Sequence, residues 1–420
     1  MKKLKKKLSS IIIQIAKKNL FLRFIIKKTR NTCYKIRYFL FYFIKYRVES
    51  NIILFQSFHG KKYADSPKAI YEELRSNEKY KSYIFVWALE SEEYQELEKF
   101  SNTVVVKYNT KKYLEYYSRA KYIITNSRRN LKTIKKKKQI YVQTWHGTPL
   151  KRLAADIKVE GKNALNTIKE LAKMYEDETR TMDYLISPSK FTSEKLKSAF
   201  NLKKFNKERI VVEEGYPRND FLINYTKQDV EKTYKKLNIN TDKKIILYAP
   251  TWRDHMHKAG VGYVYETEID FEKLKKELSE EYIILYRAHY FIANTFDFDK
   301  YEGFIYNVSD IDDINDLYII SDILVTDYSS VFFDFANLKK SMLFFMYDLE
   351  EYREKARGFY IELEELPGPI VRTEEELIKS IKNIKEIKEK YIKKYKEFNE
   401  KFTYLDDGQA SKRSINKIGI

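Results

Sequence analysis

The stretch Ser321-Asp322-Ile323-Leu324-Val325-Thr326-Asp327-Tyr328-Ser329-Ser330-Val331-Phe332-Phe333-Asp334 decides the fold class. Ile323 to Thr326 read as a strand buried on both faces, because a sheet with one wet face would alternate polar and apolar side chains. Hydroxyl residues follow, and then Val331-Phe332-Phe333 opens a helix. A buried strand that runs through a short polar loop into a helix is the repeating unit of a parallel sheet covered by helices.

The same unit recurs in both directions along the chain. Upstream, the spacing predicts strands at Asn51–Gln56, Tyr83–Trp87, Thr103–Val106, Tyr122–Thr125, Ile140–Thr144, Tyr184–Ser187 and Ile210–Glu213. Nearer the opening stretch it predicts Ile245–Ala249, Tyr282–Arg287, Phe304–Tyr306 and Met342–Phe345. Helical stretches such as Ser66–Arg75, Lys111–Arg119, Ala164–Tyr175 and Phe271–Leu278 lie between them. Two sets of strands separated near Thr226–Lys243 predict an α/β protein of two doubly wound, Rossmann-type domains facing a cleft. The expected division is an arm over 1–50, a first domain over 51–235 and a second over 236–420, with Glu374 to Phe402 as one long helix.

The chain has 420 residues and a formal net charge of +20. Residues 1–50 hold 15 of the 80 Lys and Arg and a single acid, Glu49, so most of the excess belongs to the arm and the body is only mildly basic. That distribution argues against a nucleic-acid-binding body. Leu4, Leu8, Ile11, Ile12 and Ile15 recur at helical spacing among lysines. The longest uncharged run there, Leu8 to Ala16, is far short of the roughly 20 residues a bilayer-spanning helix needs. The arm reads as a basic amphipathic helix lying on an anionic membrane surface, or else as a basic helix docked on the body. One cysteine, Cys33, excludes an internal disulfide and a thiolate metal cluster. His255 and His257 bring no metal-ligand spacing with them. Asp310–Asp313 reads as a turn or helix start rather than a cation site, and no cofactor or metal is expected.

In open parallel sheets, ligands bind at the carboxyl ends of strands. Four loops stand there. Gln143-Thr144-Trp145-His146-Gly147-Thr148-Pro149-Leu150-Lys151 places His146 at a strand mouth as a general base or as a satisfied structural histidine. Gly147 lets a ligand approach, and Thr148 with Pro149 reads as a helix start. In the opening stretch, Thr326, Ser329 and Ser330 offer hydroxyls and free N–H groups to a phosphate or simply cap a helix. Asp327 there would orient the loop or bind a hydroxyl. Arg287-Ala288-His289 brings a cation and an imidazole to a third strand end. Thr251-Trp252-Arg253 follows a fourth, where Arg253 can clamp a phosphate or pair with Asp254.

Together these loops are recognisable. From about residue 50 to 405 the chain resembles the CDP-glycerol glycerophosphotransferases of teichoic-acid synthesis. The motifs are Trp145 to Lys151, Ser187-Pro188-Ser189, Gly215-Tyr216-Pro217-Arg218-Asn219-Asp220 and Tyr248 to Asp254. Arg287-Ala288-His289, Thr326 to Ser330, and Arg357-Gly358-Phe359-Tyr360 with Pro367-Gly368-Pro369 complete the set. Tyr290 and Ser341 stand where the family usually has proline. The resemblance implies a GT-B-like fold and transfer of glycerol phosphate from CDP-glycerol to a lipid-linked acceptor or a growing teichoic-acid-like or capsular polymer, at the cytoplasmic face of the membrane. It implies His146 and His289 as the catalytic histidines, and Arg287, Thr326, Ser329 and Ser330 at the donor pyrophosphate. It also implies substrate contacts for Gly147, Thr148, Lys151, Arg218, Thr251, Arg253 and Asp327. A CDP-ribitol transferase and a nucleotide-sugar glycosyltransferase are the alternatives on this scaffold. An oligomer is compatible with every one of these motifs.

Overall fold

The computed structural model describes residues 20–91, 94, 97, 99–158, 167–251, 257–258, 262–263, 269–287, 297–355 and 358–420. Two parallel sheets carry the architecture. The first comprises β1 (Glu49–Gln56), β2 (Ile84–Leu89), β3 (Thr103–Lys107), β4 (Ala120–Thr125), β5 (Ile140–Gln143), β6 (Tyr184–Ser187) and β7 (Val211–Glu213) in the order β3-β2-β1-β4-β5-β6-β7. The strands of the second are β8 (Lys244–Ala249), β11 (Tyr282–Tyr286), β12 (Ile305–Asn307), β13 (Ile323–Thr326), β14 (Ser341–Phe345) and β15 (Ile370–Val371). They lie in the order β12-β11-β8-β13-β14-β15. A two-residue pair, β9 (His257–Lys258) and β10 (Gly262–Tyr263), stands apart.

Both orders run outward from the first strand of the sheet, return to its other side and run outward again. Each sheet therefore reverses once, between β1 and β4 and between β8 and β13. At such a reversal the two flanking loops diverge and leave a crevice for ligand.

The strands form because each contributes to two cores at once. Ile53 and Phe55 share one core with Ile70, Tyr71 and Leu74 of the helix Asp65–Ser76. Ile52 and Leu54 share another with Tyr113 and Tyr117 of the helix Lys111–Arg119. In the second sheet Ile245 and Leu247 face one core, and Ile246 and Tyr248 the other. Each such side chain, taken fully out of water, contributes about 1.5–3 kcal/mol.

Every predicted strand is present. Additional elements are β15, too short to carry a pattern, and the β9–β10 pair. The long C-terminal helix is broken at Asn383 into Glu374–Lys382 and Ile384–Phe402. A boundary drawn by chain order leaves the last helix, Ala410–Ile418, with the second sheet, but it packs on the first. Ile415, Ile418 and Ile420 lie in the core of β1 and β2, and Tyr122 Oη donates to the Gly419 carbonyl (2.7 Å). The crossing is fixed by Asp220, whose carboxylate accepts from Ala410 N–H (2.8 Å) and Ser411 N–H (2.7 Å) at the helix start. Gly215 (φ +93°) is needed beneath it, because a Cβ there would stand 2.6 Å from the Leu405 carbonyl oxygen.

Of the arm, residues 1–19 lie outside the described residues, and Leu20–Tyr38 is a helix that continues into a π turn at Phe39–Phe43. Its end is docked: Tyr38 is buried edge-on to Tyr117, and Ser118 Oγ donates to the Tyr42 carbonyl (2.8 Å). Among the described residues no helix is long and apolar enough to cross a membrane.

Candidate active site

On the first lobe, the site is built where β1, β4 and β5 end. After Gln56 the chain turns through left-handed Phe58 (φ +48°) and His59 (φ +59°). The loop after β4 holds that turn: Phe58 N–H donates to Asn126 Oδ1 (2.8 Å) and His59 N–H to Ser127 Oγ (3.1 Å). The Asn126 carbonyl in turn lies 2.8 Å from His146 Nδ1. A carbonyl only accepts, so Nδ1 carries the proton and Nε2 is the lone-pair nitrogen of the neutral ring.

His146 is solvent-accessible along the cleft yet set deep between the lobes. The surrounding protein bulk lowers its pKa; the Asn126 carbonyl and Asp65 oppose this, and Arg218 adds to it. The net direction favours the neutral, proton-accepting ring. His59 is lowered as well, by burial and then by Arg128, Lys61 and His146.

Trp145 fixes the loop that carries His146. It adopts φ +56°, its N–H donates to Gln143 Oε1 (3.0 Å), and its indole packs edge-on against Phe200 (5.3 Å). Gly147 (φ +147°) is where the lobes touch: a Cβ there would stand 3.1 Å from Ser330 Oγ and 3.3 Å from Arg218 Nη2. The expected helix at Thr148 and Pro149 does not form. Instead the segment runs extended against the second lobe, where Arg152 N–H donates to the Gly358 carbonyl (2.9 Å) and Tyr360 N–H to the Leu150 carbonyl (2.8 Å). Thr148 Oγ1 accepts from Thr192 Oγ1 (3.4 Å), and Lys151 lies over the Tyr352 ring (5.2 Å).

The second lobe faces this with the ends of β8 and β13. Thr326 is buried, its hydroxyl donated to the Ala249 carbonyl (2.7 Å). Asp327 Oδ1 accepts from Thr251 N–H (2.8 Å) and Tyr328 N–H (2.6 Å), which ties the loop after β13 to the loop after β8. Ser329 and Ser330 are half-buried at the cleft, and Ser330 makes no side-chain cap bond to the five-residue helix Val331–Phe335. Arg287 is half-buried, its Nη1 donating to the carbonyls of Val308 (3.1 Å) and Ile311 (2.9 Å). Burial lowers its pKa, against Tyr318 and the aspartates of 312–316. Arg253 and His289 lie outside the described residues.

Arg218 joins the lobes rather than opening to a ligand. Nη1 donates to Asp65 Oδ2 (3.1 Å) in the first lobe and Nη2 to Asp334 Oδ2 in the second, all three side chains at 10% exposure or less. Burial opposes its charge, but Asp334 and Asp65 outweigh burial and hold the guanidinium well above its usual range. Two carboxylates share one cation, so one negative charge is in excess, and burial raises Asp334 despite the guanidinium. Lys68 pairs with Asp313 (2.9 Å) and Lys62 Nζ donates to the Ile311 carbonyl (2.9 Å), adding two further ties between the lobes. Asp313 also caps the helix Ile314–Ile320 through Asn315 N–H. Among the described residues, no three His, Cys, Asp or Glu are grouped so as to hold a metal ion.

Two cleft-facing loops, a histidine with a fixed tautomer and a hydroxyl loop opposite it describe a transferase-like site without naming its donor. Residues 37–419 match the family of CDP-glycerol:poly(glycerophosphate) glycerophosphotransferases. The chain belongs to this family. It is 43% identical over 374 residues to the teichoic acid poly(glycerol phosphate) polymerase of Bacillus subtilis (strain 168), covering 88% of this chain and 49% of that one. It thus spans about half the length of that relative. It is 39% identical over 377 residues to the teichoic acid glycerol-phosphate transferase of Staphylococcus aureus (strain NCTC 8325 / PS 47), covering 88% of this chain and 92% of that one. Among solved structures, a variant of the wall teichoic acid polymerase TagF soaked with CDPG superposes with a TM-score of 0.83 at 37% identity, over 97% of this chain and 96% of that one. The two lobes are thus a glycerophosphotransferase fold of GT-B-like type.

In this member of the family, sequence reasoning passed over His59, Asp65, Asn126 and Asp334. His59 was within reach, because it follows the strand at which the first sheet reverses. Asp334 and Asp65 were not, because their partner Arg218 is distant from both in the chain.

Proposed function

We propose that the chain transfers glycerol phosphate from CDP-glycerol to a hydroxyl of a growing teichoic-acid-type polymer, releasing CMP, at the cytoplasmic face of the membrane. One observation carries the reading: His146 Nδ1 is committed to the Asn126 carbonyl, which leaves Nε2 free, while its neighbour Gly147 lies against the Ser330 hydroxyl of the other lobe. Family membership and the names of the relatives supply the donor and the polymer.

In this mechanism the acceptor oxygen attacks the phosphorus that bears glycerol, and His146 Nε2 takes its proton. The new P–O bond forms as the anhydride bond breaks, and CMP leaves with the electron pair. Ser329, Ser330 and backbone N–H groups of the loop after β13 receive the donor phosphates. Arg287 and Asp327 act as positioning residues, the first on the turn at 308–311 and the second between Thr251 and Tyr328. Nearby phosphate would raise the imidazole, so His146 serves best turned toward the acceptor. The exposed residues at the end of the arm, Phe39, Leu40, Phe41 and Ile44, support its seating on the membrane.

The test is turnover by the purified full chain with a lipid-linked acceptor and either CDP-glycerol or CDP-ribitol, read as CMP release and product length. CDP-glycerol is the expected donor, and His146→Ala lowers transfer by about 10²–10⁴ while CDP-glycerol binding is retained. Preference for CDP-ribitol, or near-native turnover by His146→Ala, overturns the corresponding assignment.

A further inference from the structure

The carboxyl ends of the first sheet carry the site; its amino ends carry a second feature. Lys121, Lys137, Lys138, Lys207, Arg209 and Asp183 line a depression of about 440 Å³ beneath the starts of β4, β5, β6 and β7. The one acid is already engaged, with Asp183 Oδ2 accepting from Tyr141 N–H (2.7 Å) and pairing with Lys135 (2.7 Å). Lys121 Nζ is held at the rim by the Lys138 carbonyl (2.9 Å), and Lys207 Nζ by the Arg180 carbonyl (3.2 Å). Lys137, Lys138 and Arg209 are exposed and make no ion pair among the described residues. Burial lowers the Lys207 ammonium, with Asp183 opposing and Lys135 assisting. Like charges gathered in one concavity repel one another, a cost that an anion filling the depression removes.

The surroundings identify the anion's source. The arm enters the body at this same end of the sheet: Glu49 at the start of β1 aligns with Ala120, and Lys136 Nζ donates to the Tyr46 carbonyl. Immediately before Tyr46, Leu40 (57% exposed), Phe41 (60%) and Ile44 (63%) project into solvent. A basic depression at the same end of the sheet as these exposed aromatic and aliphatic side chains matches a bilayer interface, where phosphate headgroups lie just outside the acyl chains.

We propose that this depression is a headgroup site for anionic phospholipid, formed by the folded body and distinct from the lysines of the arm. The proposal rests on the membrane-surface reading given above but adds a specific pocket to it. It seats the amino ends of the first sheet on the bilayer and turns the cleft away from it, toward the free end of an acceptor chain.

Sedimentation with vesicles of phosphatidylcholine alone, or mixed with phosphatidylglycerol, tests it on the full chain. The native chain binds the mixed vesicles, and the triple variant Lys137→Ala/Lys138→Ala/Arg209→Ala binds them about a hundredfold more weakly, with its binding to phosphatidylcholine unchanged. The variant Lys385→Ala/Lys388→Ala/Lys390→Ala, which removes the same charge from exposed positions on the C-terminal helix, keeps native affinity. Matching thermal unfolding of the two variants excludes a folding defect. Native affinity in the pocket variant, or an equal loss in both variants, overturns the pocket. Displacement from mixed vesicles by excess inorganic phosphate at constant ionic strength overturns lipid as its occupant. Failure of the native chain to bind either vesicle instead overturns the membrane reading itself.

Discussion

Replacing Arg218 by methionine tests how the cleft is held together. The substitution keeps most of the apolar stem and removes the guanidinium that bridges Asp65 and Asp334. Hydrogen bonds to charged groups contribute about 1.5–3 kcal/mol each, so losing both removes about 3–6 kcal/mol. Breaking a buried pair and stranding its partner independently gives about 3–5 kcal/mol. Taking about 4 kcal/mol and an unfolding entropy of about 2.1 cal/mol/K per residue for a 420-residue chain, Tm falls by about 4–5 °C. The two aspartates are then unpaired in a site at most 6% exposed, so Asp334→Asn, destabilising alone, recovers part of the loss in the Arg218→Met background. Calorimetry on the four members of this cycle, with CMP release measured alongside, is the assay. Turnover falls with stability, because Arg218 also lies against the Gly147 position between His146 and Ser330. An Arg218→Met chain that unfolds at the native temperature, or a double variant whose loss equals the sum of the single losses, refutes the bridge.

Gly147→Ala forces a methyl group against Ser330 Oγ and Arg218 Nη2 at a backbone conformation that disfavours side chains, a strain of about 1–3 kcal/mol. CMP release should drop at least tenfold while the chain stays folded, and native turnover in this variant would contradict the contact. Asp406 supplies a pH dependence. Burial pushes its carboxyl up to about 7, outweighing the donors Tyr216 N–H, Asn219 and Asn337, with Asp334 adding to the rise. Its folded pKa exceeds the unfolded value of about 3.9, so the native state holds the extra proton and stability from this group is lost as pH rises from about 4 to about 7. Between about pH 5 and about pH 8 the native chain should lose about 3 kcal/mol relative to Asp406→Asn in urea unfolding. A difference independent of pH would discard that assignment.

The strands were legible because each is a continuous apolar run with a helix on either side, and Ile52 to Phe55 divide between two cores as such a run must. What the sequence concealed depends on partners far away in the chain. Thr148-Pro149 has the local chemistry of a helix start, yet the segment around it is drawn into an extended path by Gly358 and Tyr360. Arg218 reads as a ligand-binding arginine until Asp65 and Asp334 close on it. His146 was visible as a strand-end histidine, but its tautomer was not, since that depends on the carbonyl of Asn126 in the loop after a neighbouring strand. Ile415 and Ile418 carry an ordinary amphipathic pattern that does not say which sheet they cover.

That last helix has a mechanical consequence. The backbone passes between the lobes twice, once before β8 and again through 403–409 to reach the seat of Ile415 and Ile418. Two bodies joined by one strand of chain can swivel and twist about it in any direction. Two separate crossings act like the paired pins of a door, suppressing twist and leaving rotation about the line between them as the soft motion. For the proposed reaction, admitting a donor and releasing CMP would then need only a swing about that line, which would return His146 to the same face of the Ser330 loop.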